Sequence, residues 1–136
     1  MRMYKRVQLR KNELLQLRQD CEDYIWAAVD PRKYIISVGD DYLADLRDDL
    51  LLHNCHPEDI FGIGMDLETG EVDFVAQINR RNPTVDGSGE LSIESQDSIR
   101  ETLHYFFEKL PAYRKANNNK TDEDLKDFSG TTIAFR

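Results

Sequence analysis

The sequence predicts an α+β domain with a mainly antiparallel sheet of four to five strands, in the order β-α-β-β-α-β-β-α, with the helices on one face. Three observations predict it. Ile60–Asp66 and Glu71–Asn79 alternate apolar and polar residues on either side of Leu67-Glu68-Thr69-Gly70, which is the pattern of a hairpin with one buried face. Tyr24–Asp30 and Tyr34–Val38 flank the turn residues Pro31-Arg32-Lys33 and make a second hairpin. Three further stretches carry apolar residues at helical spacing. Tight connections force antiparallel neighbours, so the helices cover the sheet rather than cross over it.

In chain order, Tyr4–Leu9 reads as a short edge strand whose basic residues guard the edge. Asn12 is placed to cap a helix over roughly 13–23, with Leu14, Leu15, Leu17 and Cys21 as its stripe. After the first hairpin, Asp40 or Asp41 is expected to cap a helix reaching His53, buried through Leu43, Leu46, Leu50 and Leu51. Asn54 suits the left-handed closing position, and Pro57 stops the helix from continuing. Arg80–Glu90 is a polar loop, and Leu91–Ile93 a short extended piece. The last strong helix is expected to begin near Ser95 or Ser98, because Ser98 and Glu101 have capping-box spacing, and to end or kink at Pro111.

The chain has 136 residues, which is one domain's length. Residues 1–115 form that domain, and 116–136 are an extension with a polar turn at Asp122–Phe128 and a strand-like end at Thr131–Arg136. No window holds the roughly 18 apolar residues of a membrane span, and the basic N-terminus has no apolar run after it. Two cysteines, Cys21 and Cys55, are too few for a disulfide scaffold and fit a reducing compartment, so a cytoplasmic location is expected. Net charge is −8, and residues 21–73 hold fourteen acidic against three basic groups. That acidic middle repels phosphate backbones, so nucleic acid is not the expected partner; a basic protein or a second copy of the chain is.

Three places are candidates for chemistry. The first is the sheet face carrying Gly62, Gly64, Asp66, Asp73, Val75, Gln77 and Asn79, with Trp26 and Ala28 beside them; its glycines let a ligand or a helix approach the backbone. The second is Asn79-Arg80-Arg81-Asn82, where two guanidiniums and two amides suit an anion, with Gly87-Ser88-Gly89 as a source of backbone N–H donors. The third is His53-Asn54-Cys55-His56, whose donor types suit zinc or copper but whose spacing suits a helix end better, so no metal is expected. The Asp30-Pro31-Arg32 turn invites a carboxylate–guanidinium contact. No carboxylate pair sits in an apolar setting fit for acid catalysis, and no nucleophile elbow is present, so no catalytic residue and no cofactor are expected.

These segments resemble a family of small, uncharacterised bacterial proteins, a domain of unknown function. Its pattern runs V-V-D-x-x-R, G-G-E-L-H-A-D, a leucine pair, G-S-x-Q-x-D-x-W-G and I-N-x-R-P before a final helix. Val29-Asp30-Pro31-Arg32, Gly39–Asp45, Leu50-Leu51, Asn54–Gly62 and Ile78-Asn79-Arg80-Arg81 are similar to those blocks in order. Asp40 stands in place of the second glycine, Leu43 of the histidine, Phe61 of the tryptophan and Asn82 of the proline. The resemblance implies Asp45, Gly62, Asn79 and Arg81 as matched positions and no activity. Adding Gln77 from the exposed face gives the candidate ligand-binding set Asn79, Arg81, Gln77, Asp45 and Gly62. The reading that follows is a non-catalytic protein-interaction module, an acidic inhibitor or immunity-type protein being one version; the alternative is an enzyme or binding protein for a small anionic ligand at the Asn79–Arg81 loop.

Overall fold

The computed structural model describes residues 2–39 and 41–117. Among the described residues, five strands form one sheet: β1 (Arg2–Lys5), β2 (Tyr24–Asp30), β3 (Ile35–Gly39), β4 (Phe61–Asp66) and β5 (Val72–Asp73). Their spatial order is β1-β3-β2-β4-β5, and every neighbouring pair is antiparallel. Four α-helices accompany them among the same residues: α1 (Lys11–Cys21), α2 (Leu43–Leu52), α3 (Ile93–Phe106) and α4 (Pro111–Asn117). The fold class is α+β with an antiparallel sheet, as the hairpin signals imply.

The edge strand ends earlier than the residue alternation suggested. It pairs with β3 only over Arg2–Lys5, and Leu9 is fully buried with its N–H donating to Phe106 O at 2.9 Å. The chain thus leaves the sheet to pass under α3. In the β2–β3 turn, Asp30 Oδ1 accepts the backbone N–H of Arg32 at 2.9 Å and of Lys33 at 3.0 Å, the way an aspartate imitates a backbone turn. The Arg32 guanidinium lies 4.0 Å from Asp59, so the expected contact with Asp30 runs through the backbone instead.

One sheet face packs Ile25, Ala27 and Val29 of β2, Ile36 and Val38 of β3, and Phe61, Ile63 and Met65 of β4 against α1 and α3. Leu14 and Leu17 of α1 and Ile99, Leu103 and Phe106 of α3 complete that core. Each fully buried side chain of this size is worth about 1.5–3 kcal/mol.

The expectation that all helices lie on one face is corrected by α2, which covers the opposite face. There Ala28, Ile35, Ile60 and Ile78 meet Leu46, Leu50 and Cys55 in a separate cluster. The physical reason lies in β3, buried at all five positions, which reads as a continuous run rather than an alternation. Small residues on that face, Ala28, Ser37 and Gly62, let the helix come close, and Ser37 Oγ donates to Asp49 Oδ2 at 2.9 Å.

The second hairpin is also shorter than its alternation. Only Val72 and Asp73 pair with β4, and Gln77–Arg81 is a 3₁₀ turn where strand was expected up to Asn79. Gly70 does take positive φ (+80°), and a Cβ there would run into Ala112 O of α4. The later helix begins at Ile93 with Ser92 as cap, its Oγ accepting from Ser95 N at 3.1 Å, so neither Ser95 nor Ser98 is the start. Pro111 opens α4 rather than ending α3, as a proline at a first helical position can. The amide of Asn117 donates to Gly70 O at 2.7 Å and Tyr113 O at 2.9 Å. The turn at 122–128 and the strand at 131–136 lie outside the described residues.

Candidate functional site

The α2 face of the sheet is not bare. Gly62 is roofed by Ile78 and Leu43, whose atoms lie 2.6 and 2.9 Å from where a Cβ would stand. The Tyr24 ring covers Gly64 and meets Trp26 edge-on, with centroids 5.2 Å apart. The glycines therefore serve close packing within the chain. Burial, then the Asp73 and Asp66 charges, hold the Tyr24 phenol above its ordinary pKa.

Beyond this packing lies an open cleft of about 710 Å³. The start of α2 (Asp41–Ala44) forms one wall, and residues 75–78 with Arg80 and Arg81 form the other. Trp26 stands at the back, 37% exposed, while Tyr42 and Val75 on the rim are 83% and 80% exposed. Tyr42 precedes α2 without capping it through its side chain. Asp41, on the same wall, lies 3.6 Å from Arg2. Among the described residues, neither the Arg80 nor the Arg81 guanidinium has a carboxylate partner.

The structure sorts the tetrad Asn79-Arg80-Arg81-Asn82 by direction. In a 3₁₀ turn, residues three apart share a face. Asn79 is fully buried and Asn82 nearly so, while both arginines are exposed. Asn79 Oδ1 accepts from Gly62 N at 2.7 Å, and its Nδ2 donates to Gly62 O at 3.2 Å and Phe74 O at 3.0 Å. Asn82 Nδ2 donates to Glu58 O at 2.9 Å and Ile60 O at 3.0 Å, and its Oδ1 accepts from Thr84 N at 2.9 Å. Both amides are spent on the backbone ahead of and along β4.

The predicted ligand-binding set thus divides. Gln77 and Arg81 line the cleft. Asn79 and Gly62 lie beneath it, bonded to each other, and act as scaffold. Asp45 is exposed in the first turn of α2, one residue past the lining residue Ala44. Leu43, which replaces the histidine of the motif described above, belongs to the cleft lining. Val75, expected on the candidate sheet face, lines the cleft. Tyr42 was not singled out; it is an isolated aromatic residue between β3 and α2, where no period marks it.

Two of the backbone donors expected of the Gly87-Ser88-Gly89 loop are spent on Asp86. Ser88 N donates to Asp86 Oδ1 at 2.9 Å and Gly89 N to Asp86 O at 3.0 Å. Gly89, at φ +79°, rests against the aliphatic stem of Arg80. The Ser88 hydroxyl, and after it the Ser88 N–H, donate to the Asp86 carboxylate and hold it below its usual pKa.

Around His53-Asn54-Cys55-His56 the donors diverge. His53 stacks on Tyr4 with centroids 3.7 Å apart, and its Nδ1 lies 2.7 Å from Asp49 O. His56 is exposed, whereas Cys55 is buried. Burial, followed by the Asp30 carboxylate, pushes the Cys55 thiol up to about 12, so it is protonated at neutral pH. Among the described residues, no three His, Cys, Asp or Glu side chains are grouped to hold a metal ion, and no helix is long and apolar enough to cross a membrane.

Comparison with known proteins gives one family and no further likeness. No curated protein and no solved structure matches the chain. A family model described as "protein of unknown function (DUF5674)" matches residues 5–110, which takes in the whole sheet beyond the first residues of β1, with α1, α2 and α3. The chain belongs to that family.

Proposed function

We propose that this chain is a small non-catalytic interaction module that receives a segment of a partner protein in the cleft between α2 and residues 75–81. One observation carries the reading: two guanidiniums without a carboxylate partner among the described residues share an open cleft with exposed Trp26, Tyr42 and Val75. Aromatic residues and arginine are the types that anchor protein interfaces. The lining offers binding groups but no acid–base pair or nucleophile brought together for a reaction. The surplus of acidic groups in residues 21–73 favours a basic partner and faster, salt-sensitive association, as an inhibitor or immunity-type protein uses. A cytoplasmic setting belongs to the same proposal and is supported by the low cysteine count, two in 136 residues.

Affinity capture with the full chain tests this. A partner retained by the parent protein and lost with the double variant Arg80→Glu/Arg81→Glu supports the reading. A partner retained equally by both removes the cleft from it. A second reading, a small anionic ligand held by Arg80, Arg81 and Gln77, draws on the same guanidiniums. Saturable calorimetric titration with inorganic phosphate, abolished by Arg81→Ala, would favour it.

A further inference from the structure

The cleft lining combines two kinds of group. Arg80 and Arg81 bring guanidiniums, and Trp26, Tyr42 and Val75 bring exposed apolar surface. A polyanion is a poor occupant, because Asp41 lines the wall, Asp45 is exposed just beyond it, and the surrounding segment carries fourteen acids against three bases. A free inorganic anion leaves the apolar groups uncovered. Both kinds of group are satisfied by a single carboxylate held next to a single apolar side chain. The C-terminal residue of a polypeptide has that composition, since its carboxylate and side chain share one Cα. Basic residues upstream of it would meet Asp45, exposed in the first turn of α2. A volume of about 710 Å³ falls within the ordinary range of ligand pockets and admits a few residues rather than a folded domain.

The geometry points to the cleft as a receptor for the C-terminal end of a basic partner chain, with an apolar last side chain against Trp26 and Val75 and the terminal carboxylate on the guanidiniums of Arg80 and Arg81. The assignment rests on the docking role proposed above and names the occupant. Planar guanidiniums suit a carboxylate because they bind it through paired N–H donors. Capture of a chain end through its carboxylate is an established mode of peptide recognition.

The full chain is immobilised and offered two random heptapeptide libraries, one with a free C-terminal carboxylate and one tethered through that end. The selected peptide is then titrated as acid and as amide, read by the fluorescence of Trp26, the single tryptophan. The expected result is enrichment in the free-carboxylate library alone, with apolar last residues and Lys or Arg upstream. The amide, and the acid against Arg80→Ala/Arg81→Ala, should bind about tenfold more weakly or worse. Equal enrichment in both libraries overturns the chain-end assignment while leaving a docking cleft. Enrichment in neither overturns both. A Trp26 response to inorganic phosphate as strong as to the peptide assigns the cleft to small anions. A dimer by light scattering that Arg81→Glu converts to monomer assigns it to a second copy. Either outcome overturns the proposal.

Discussion

Asn79 and Gly62 exchange two hydrogen bonds, the side chain of one with both backbone groups of the other. The pair sits where the β4–β5 ladder has already ended, so the amide supplies what a neighbouring strand would have supplied. With Asn82 on Ile60 O, this closes the flank of β4 to any added strand.

Removing that amide should therefore cost stability rather than binding chemistry. Asn79→Ala leaves the Gly62 N–H and the Gly62 and Phe74 carbonyls without partners in a buried place, a loss of about 3 kcal/mol. Asn79→Asp keeps the acceptor and deletes both donated bonds, so it should be destabilised too. Urea denaturation of the two variants beside the parent measures this; midpoints equal to the parent's would contradict it.

Gly70 is the second point at which a single substitution should act strongly. Its φ of +80° disfavours any side chain, and a Cβ would meet Ala112 O. Gly70→Ala is expected to destabilise the chain by more than about 1 kcal/mol and to loosen α4 from the hairpin. The Tyr113 ring reports it: its resonances should change when α4 shifts, and a spectrum identical to the parent's would show that the turn tolerates the methyl group.

The exposed arginines should behave in the opposite way. Arg80→Ala/Arg81→Ala removes no ion pair among the described residues, so thermal stability should stay within about 0.5 kcal/mol of the parent. A larger drop would mean that the guanidiniums serve the fold instead of a ligand.

Cys55 ties stability to alkaline pH. Its folded pKa is raised to about 12 from an ordinary value of 9.0. The unfolded chain therefore loses this proton first, and the folded state then binds more protons than the unfolded one. Stability should fall as pH climbs from about 9 toward about 12. Cys55→Ser should flatten that part of the curve. Thiol labelling at pH 8 should modify Cys55 only as the chain unfolds; labelling of the native protein at that site would refute the raised pKa.

Much of the architecture was legible because period and turn chemistry agree. The 67–70 loop carries its glycine where positive φ is needed, and Asn54 takes φ 68° where the end of α2 required a left-handed residue. The placement of α2 was misread because Ile35-Ile36-Ser37-Val38 buries both faces, and a run without alternation does not say which helix covers which side. The strand assigned up to Asn79 failed for a different reason. Phe74, Ala76 and Ile78 keep the two-residue period, but a tertiary partner, the backbone of Gly62, claims the Asn79 side chain and turns the chain out of the sheet. The same contact separates the site residues: four adjacent polar groups look alike in sequence, and only the three-residue pitch of the turn sends two inward and two to the cleft.

A sheet sheltered on both faces has a kinetic consequence. Over Ala27–Val29 and Ile35–Val38, the central strands β2 and β3 are buried on both faces between helices, with strands hydrogen-bonded on either side. Their amide protons have no path to deuterated solvent until the whole molecule opens. In β5, two residues long and at the sheet's edge, fraying alone suffices. Isotope uptake should spread inward from the rim toward Ala27 and Val38, whose exchange should occur only in the globally unfolded chain.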